Sequence, residues 1–255
     1  MGEVFRLEAP RLEHMTLRGI DIDNILPIID FNLSDLATLH ITWTYGLLEE
    51  NVLERLERFG PSLRTLTLHT LGVDPAIFDV MHVTSLERLC QACTQLQFFG
   101  YQIKGDDLAP SNWTGRGNEF LARLDPLKHL KDLRILHFRF PKLIEPPAYG
   151  DATNNGPNDI TWEVQRFANA VFRYMDKHDM CPRLKGMIFG THWNAQPGMD
   201  GEWCYPRHCF VKGHQTDALN RTMVVAVLVP PYMIRQLEPD CDLLDFDPES
   251  EWATE

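Results

Sequence analysis

The sequence predicts an α/β protein in which short parallel strands alternate with helices in a solenoid, closed by a C-terminal β-hairpin cap. Three observations predict this fold class. An apolar hexapeptide pattern recurs six times, helical segments lie between the copies, and two alternating stretches near the C-terminus flank a polar turn. Strands joined by helical returns lie parallel in one sheet, and stacked units bury the apolar face that a single unit leaves open.

The repeated pattern is an apolar residue, two variable residues, an apolar residue, one variable residue and a final apolar residue. Its second half has the two-residue period of a strand. The six copies are Leu12–Leu17, Leu36–Ile41, Leu63–Leu68, Leu96–Tyr101, Leu133–Phe138 and Leu184–Phe189. This pattern is typical of leucine-rich-repeat solenoids, which place the parallel sheet on the concave side and the helices on the convex side.

A segment that can form a helix precedes each copy from the second onward. The apolar residues of these segments recur at spacings of three and four, so they share one helix face. The segments are Leu47–Phe59, Val83–Cys93, Asn118–Leu130 and Thr161–Met175. Gly60 and Pro61 end the first segment, and Pro126 is expected to break the third into two pieces.

An ordinary doubly wound α/β domain is the alternative to a solenoid. The glycine-rich sequences that open the first helix of nucleotide-binding domains of that class are absent from this sequence. Two insertions lengthen the repeats, Lys104–Gly117 and Pro141–Asp159. The second contains many Pro, Gly and Asn residues and is expected to be a mobile loop. The six repeats therefore favour a solenoid rather than a doubly wound fold.

The chain is expected to have three parts. Residues 1–194 form about six irregular repeats, 195–238 form the cap, and 239–255 form an acidic, disordered tail in which Leu243, Leu244 and Phe246 could still dock. The cap contains two predicted strands, Arg207–His214 and Thr222–Val229, joined by a polar turn. A cap is needed because the apolar face of a terminal repeat has no further neighbour.

Composition and charge exclude several classes of function. The apolar fraction of 44% and charged fraction of 24% are those of an ordinary globular protein. The net charge of −12 argues against nucleic acid, although residues 240–255 carry seven acidic and no basic residues. No apolar run reaches the length of a membrane span, so no membrane association is expected. The six scattered cysteines fit a reducing compartment, and we expect a cytoplasmic or nuclear protein.

Two joints between helix and strand carry a resemblance to a known family. Cys93 and Cys181 each lie three residues before a strand leucine, the second within Cys-Pro-Arg-Leu184. These joints resemble the cysteine-containing leucine-rich repeats of F-box proteins, and Phe59–Leu68 is similar to a repeat joint of the fungal members. The resemblance spans Leu12 to Phe189. It implies repeats that recruit the substrate of a ubiquitin ligase.

In that family an F-box ahead of the repeats binds a Skp1-type adaptor. In this sequence the first repeat begins at Leu12, so residues 1–11 leave no room for an F-box. We therefore expect adaptor binding only if an F-box is present elsewhere. The alternative function is a stand-alone repeat scaffold unrelated to ubiquitin.

The concave face is the first candidate site. The residues between and just after the last two apolar positions of each copy should form two columns across neighbouring strands. The candidate partner-binding residues are Thr16, Arg18, His40, Thr42, Thr67, His69, Gln102, His137 and Arg139. These polar and partly basic side chains suit an acidic or polar peptide. The alternative is that this face is merely solvated.

A second cluster, near the C-terminus, combines histidine, cysteine and tryptophan. Its members are His192, Trp193, Trp203, Cys204, His208, Cys209 and His214. The spacing matches no zinc motif, so these residues are expected to be core and turn residues of the cap rather than metal ligands. The histidines, cysteines and carboxylates follow no catalytic motif either. We expect a protein without cofactor that binds another protein and is not an enzyme; a metal-dependent or hydrolytic enzyme is a less favoured alternative.

Overall fold

The described strands form one open sheet whose spatial order follows the chain, from β1 at one edge to β8 at the other. The computed structural model describes residues 12–20, 35–43, 48, 50–70, 81–103, 119–139, 157–190 and 208–244. The strands are β1 (His14–Ile20), β2 (Thr38–Trp43), β3 (Thr65–Thr70), β4 (Phe98–Gln102), β5 (Ile135–Arg139), β6 (Gly186–Phe189), β7 (His208–Thr216) and β8 (Thr222–Val229).

The first six strands are parallel to their neighbours, whereas β7 runs antiparallel to β6 and β8 antiparallel to β7. The predicted α/β class with a largely parallel sheet is confirmed. Each of the six parallel strands begins two residues after the first apolar residue of its hexapeptide copy. From the second copy onward that first residue is buried ahead of the strand, as Leu36 and Leu63 illustrate.

Five α-helices and one 3-10 helix lie within the described residues. They are α1 (Glu50–Phe59), α2 (Val83–Ala92), α3 (Glu119–Ala122), the 3-10 helix (Asp125–His129), α4 (Pro157–Lys177) and α5 (Pro231–Leu237). The predicted break at Pro126 is confirmed, because this proline occupies the first turn of the 3-10 helix. Among the described helices, none is long and apolar enough to cross a membrane.

One helix boundary and one further helix differ from the sequence prediction. Helix α4 begins at Pro157, so the last residues of the second insertion are helical rather than looped. Proline suits the first turn of a helix, because the N–H that it lacks has no partner there in any case. Helix α5 was not predicted at all. Residues 104–118 and 140–156 lie outside the described residues.

The first core lies between the helices and one face of the sheet. Leucines of α1 and α2 pack there against the inward residues of β2 and β3, including Leu39 and Leu66. Further along the sheet the same core contains an aromatic cluster. Its rings belong to Phe120, Phe138, Phe167, Phe189 and Phe210, with neighbouring centroids 5.1–6.2 Å apart. This core joins the parallel strands to the hairpin.

The two cysteine joints belong to the first core. Cys93 and Cys181 are both buried, and the Cys181 thiol donates a hydrogen bond to the carbonyl oxygen of Leu127 at 3.1 Å. Burial raises the pKa of both thiols to about 12. The thiols therefore stay protonated and serve packing, since only the thiolate is a strong nucleophile or metal ligand.

The predicted hairpin is confirmed, with β8 spanning Thr222–Val229 and β7 extending two residues beyond His214. Asp217 orders the turn, because its carboxylate accepts hydrogen bonds from the backbone N–H groups of Leu219 and Arg221 at 2.8 and 2.9 Å. Asn220 has a φ of 60°, a left-handed conformation that asparagine tolerates. The hairpin thus continues the sheet as its last two strands.

Candidate protein-binding face

The face of the sheet opposite helices α1–α4, here called the second face, carries the candidate residues. The strand register confirms the first predicted column of neighbours, which runs through Thr16, His40, Thr67, Gly100, His137 and Ile188. In the second column Thr42 is opposite His69, and Gln102 is opposite Arg139. Arg18 lies where the β1–β2 register is irregular, next to Gly19 with a φ of 58°.

The candidate residues on the second face are more buried than the sequence predicts. Thr16 is exposed and Arg18 half-buried, but the other seven candidate residues are buried. Three apolar side chains on the same face, Phe98, Ile135 and Ile188, are buried as well, because apolar side chains are stabilised by removal from water. The chain itself supplies their cover.

Residues 231–244, which comprise α5 and the seven residues after it, lie on the second face and are here called the covering segment. Ile234, Cys241, Leu243 and Leu244 form a second core with the apolar residues of β4, β5 and β6. Their side chains are at most 6% exposed. Each such leucine or isoleucine contributes about 1.5–3 kcal/mol through burial.

This position corrects the prediction of a disordered tail from residue 239. Residues 239–244 pack against the sheet, because their apolar side chains bury more favourably than they hydrate. The docking foreseen for Leu243 and Leu244 is confirmed. Phe246 and the rest of 245–255 lie outside the described residues.

A hydrogen bond joins the covering segment to the first column. Nε2 of His40 lies 3.0 Å from Oδ2 of Asp242, and Nδ1 of the same ring lies 2.9 Å from the hydroxyl of Thr67. A carboxylate only accepts hydrogen bonds, so Nε2 carries a proton and donates to Asp242. In the neutral ring Nδ1 then accepts from the Thr67 hydroxyl.

A second polar contact is made by Glu238, the first residue after α5. The carboxylate of Glu238 is 3% exposed and accepts hydrogen bonds from Arg134, at 3.0 Å, and from Lys185. Burial opposes ionisation of Glu238, but the two hydrogen-bonded cations outweigh it and lower the pKa of the carboxyl below its ordinary value. Glu238 is therefore ionised at neutral pH.

Two histidines of the second face contact each other across β4. The rings of His69 and His137 make an edge-to-face contact with centroids 5.4 Å apart, although β3 and β5 are two strand spacings apart. That distance is about 9.6 Å, so the two rings must reach toward each other across β4. His137 also donates from Nε2 to the carbonyl oxygen of Gly190 at 2.9 Å.

The His/Cys/Trp cluster is only partly within the described residues, which exclude His192, Trp193, Trp203 and Cys204. Neighbouring positions on β7 place His208 and Cys209 on opposite faces of the sheet. His214 lies six residues further, about 20 Å along the strand from His208. No group of three or more His, Cys, Asp or Glu side chains within the described ranges could hold a metal ion.

Sequence reasoning missed helix α5 and the roles of Glu238 and Asp242. A signal was present, because Phe98 and Ile135 occupy variable positions of their copies and make both faces of β4 and β5 apolar. A sheet with two apolar faces needs a second cover. The apolar pair Leu243–Leu244 within an acidic stretch was the matching signal.

Comparison of the chain with protein-family models, with curated proteins and with solved structures finds no significant match. The geometry of the second face is therefore the basis for assigning a function.

Proposed function

We propose that this chain is a protein-binding module built as an irregular leucine-rich-repeat solenoid, which uses the second face and its rim on β1 to hold a polypeptide. One observation carries the proposal: the face already holds a polypeptide, the covering segment, through a buried apolar cluster and charged contacts. A surface that accommodates one peptide in this way has the apolar centre and polar rim of a protein interface.

The strand arrangement supports the solenoid part of the proposal. Six parallel strands follow one another in chain order, and each comes from one copy of the hexapeptide pattern. Every described strand therefore pairs only with the strands next to it in sequence, as expected for stacked repeats. The cysteine joints that carry the F-box resemblance lie buried where helices meet strands.

The rim on β1 offers a direct test of binding. The change is the pair Thr16→Glu and Arg18→Glu, which makes the exposed end of the first column acidic. We expect the modified chain to lose the proteins that the wild-type chain cross-links in cells, because an acidic or polar partner is then repelled. The matched control is Lys128→Glu, a charge reversal on a half-exposed side chain of the 3-10 helix.

Recovery of the same partners by both charge variants and by the wild type would contradict the proposal. The rim pair is a sharper choice than a triple change of Thr16, His40 and Thr67. His40 and Thr67 are buried and hydrogen-bonded to each other, so that triple change would also loosen the fold.

The resemblance favours a specific role, recruitment of the substrate of a ubiquitin ligase. Purified chain mixed with a Skp1-type adaptor tests this role, because the adaptor binds through an F-box. Binding would support it. If the chain captures partners but no adaptor, the stand-alone scaffold is the better assignment.

A further inference from the structure

The covering segment occupies the same face that the proposed function assigns to a partner. We propose that this segment can be displaced by the partner. The partner then binds in its place through an acidic side chain followed by two bulky apolar side chains, as in Asp242-Leu243-Leu244. The inference rests on the proposed function and adds the chemistry of the partner and the means of its regulation.

Charge complementarity supports this partner chemistry. Arg134 and Lys185, which directly precede β5 and β6, contact the carboxylate of Glu238, and His40 donates a hydrogen bond to the carboxylate of Asp242. Opposite charges fix the register of a bound peptide, while apolar burial supplies most of the affinity. A competing peptide therefore needs a carboxylate opposite His40 and apolar side chains beside it.

The way in which the segment is held supports displacement. The side-chain contacts between residues 238–244 and the sheet include the apolar cluster, the His40–Asp242 pair and the Glu238 contacts. The backbone hydrogen bond from the N–H of Cys241 goes to the carbonyl of Glu238, within the segment itself. Residues 238–244 belong to none of the eight strands, so their departure does not require a strand to leave the sheet.

Covalent attachment sets how strongly the segment competes. A tethered peptide acts at an effective concentration in the millimolar range, so a free peptide with the same contacts binds the wild-type chain weakly. The apparent affinity of an external peptide is reduced by the fraction of molecules whose face is uncovered. Any change that loosens the segment should therefore strengthen external binding.

The test uses the full-length chain and a fluorescein-labelled peptide of residues 238–244 that carries Cys241→Ser. The loosened variant combines Leu243→Ala and Leu244→Ala, which remove two side chains from the second core. We expect its dissociation constant for the peptide, measured by fluorescence anisotropy, to be at least tenfold lower than that of the wild type. The matched control is Leu237→Ala, which removes the same atoms from a 38% exposed leucine of the same segment and should bind like the wild type.

Two further changes examine whether the peptide occupies the proposed place. His40→Ala in the loosened variant, or Asp242→Asn in the peptide, should each weaken binding several-fold, because each removes one partner of the His40–Asp242 pair. Equal binding by the wild type and the folded loosened variant would overturn the inference, as would tight binding that ignores both changes.

Hydrogen exchange of the unmodified protein provides an independent measurement if the loosened variant does not fold. We expect the amides of residues 241–244 to exchange at least a hundredfold faster than those of β4 and β5, because the segment opens without global unfolding. Exchange at the rate of β4 would show that the segment opens only with the whole fold, and would overturn the inference.

The proposed function and this inference can fail separately. If the segment proves indispensable while Thr16→Glu with Arg18→Glu still abolishes partner capture, the chain remains a binding module and only the competition is wrong. If the peptide binds the loosened variant as expected but the rim variant captures the same partners as the wild type, the proposed use of the β1 rim is wrong.

Discussion

At the scale of single residues, two buried glycines have different structural duties. A Cβ atom at Gly60 would lie 2.6 Å from the carbonyl oxygen of Ala92, so the end of α1 approaches the backbone at the end of α2 more closely than any other residue allows. A Cβ at Gly100 would meet its nearest neighbours, Thr67 and His137, at 3.4 Å and 3.5 Å, which is ordinary contact. Gly60 is needed for helix packing, whereas the site of Gly100 has room for a methyl group.

Gly60→Ala is expected to lower the free energy of unfolding by about 1–3 kcal/mol, because backbone atoms must move to admit the new methyl group. Gly100→Ala is the matched control, and it should change stability by less than about 0.5 kcal/mol. Urea denaturation of both variants followed by circular dichroism checks the difference. Equal stability of the two variants would mean that the contact between α1 and α2 is looser than the structure indicates.

At the scale of elements, side chains of helix α4 supply hydrogen-bond partners to the outer edge of β8. Asn169 accepts a hydrogen bond from the backbone N–H of Ala226 at 2.8 Å, and Gln165 donates to the carbonyl of the same residue at 3.2 Å. Arg173 donates to the carbonyl of Val224 at 3.0 Å. The three side chains recur every four residues on one face of α4, so they follow the strand edge and prevent it from pairing with another chain.

Asn169→Ala is expected to destabilise the protein by about 1–2 kcal/mol, because the buried N–H of Ala226 loses its acceptor and the better helix propensity of alanine offsets only part of that cost. Asn169→Asp is the control, since it keeps an acceptor oxygen at the same place. Thermal unfolding and exchange of the Ala226 amide measure the effect. The assignment fails if the amide is protected equally in both variants.

The elements also show how far the sequence predicts this fold. The parallel strands and most helix positions followed from local periodicity, because leucine at fixed spacing reports burial within one repeat. Helix α5 did not, because Pro231–Leu237 is short, and exposed Tyr232 and Met233 obscure its single buried isoleucine. The burial of His40 and Thr67 could not be foreseen, since it depends on residues some two hundred positions away. Local pattern predicts strands, but tertiary docking decides which strand face meets solvent.

At the scale of the whole molecule, Glu238 connects the covering segment to two strands of the sheet. Its carboxylate is ionised and buried between Arg134 of the β5 region and Lys185 next to β6. The pKa of Glu238 is lower in the folded chain than its ordinary value of 4.5. Its ionisation therefore stabilises the folded state fully above that ordinary value, and this stabilisation is lost as pH falls through the lower, folded value.

Glu238→Gln is expected to cost about 1–3 kcal/mol at pH 7, because hydrogen bonds to a charged partner are lost. The stability difference from the wild type should shrink as the pH falls below about 4.5, where the carboxyl of the unfolded wild type takes up a proton, and shrink further until the pH passes the lower pKa of the folded chain. Glu54→Gln, at an exposed position of α1, is the control and should change stability only slightly. Urea denaturation from pH 3 to pH 7 gives the curves, and a constant difference for Glu238→Gln would contradict the assigned ion pairs.

The contact between His40 and Asp242 joins residues 202 positions apart, whereas every pair of adjacent strands is close in sequence. During synthesis the eight strands are therefore complete before residues 238–244 exist. Without that segment Phe98, Ile135 and Ile188 would form an apolar strip on the sheet, which favours aggregation or chaperone binding. We therefore expect docking of the covering segment to be a late step in folding, after the strands that it covers have formed.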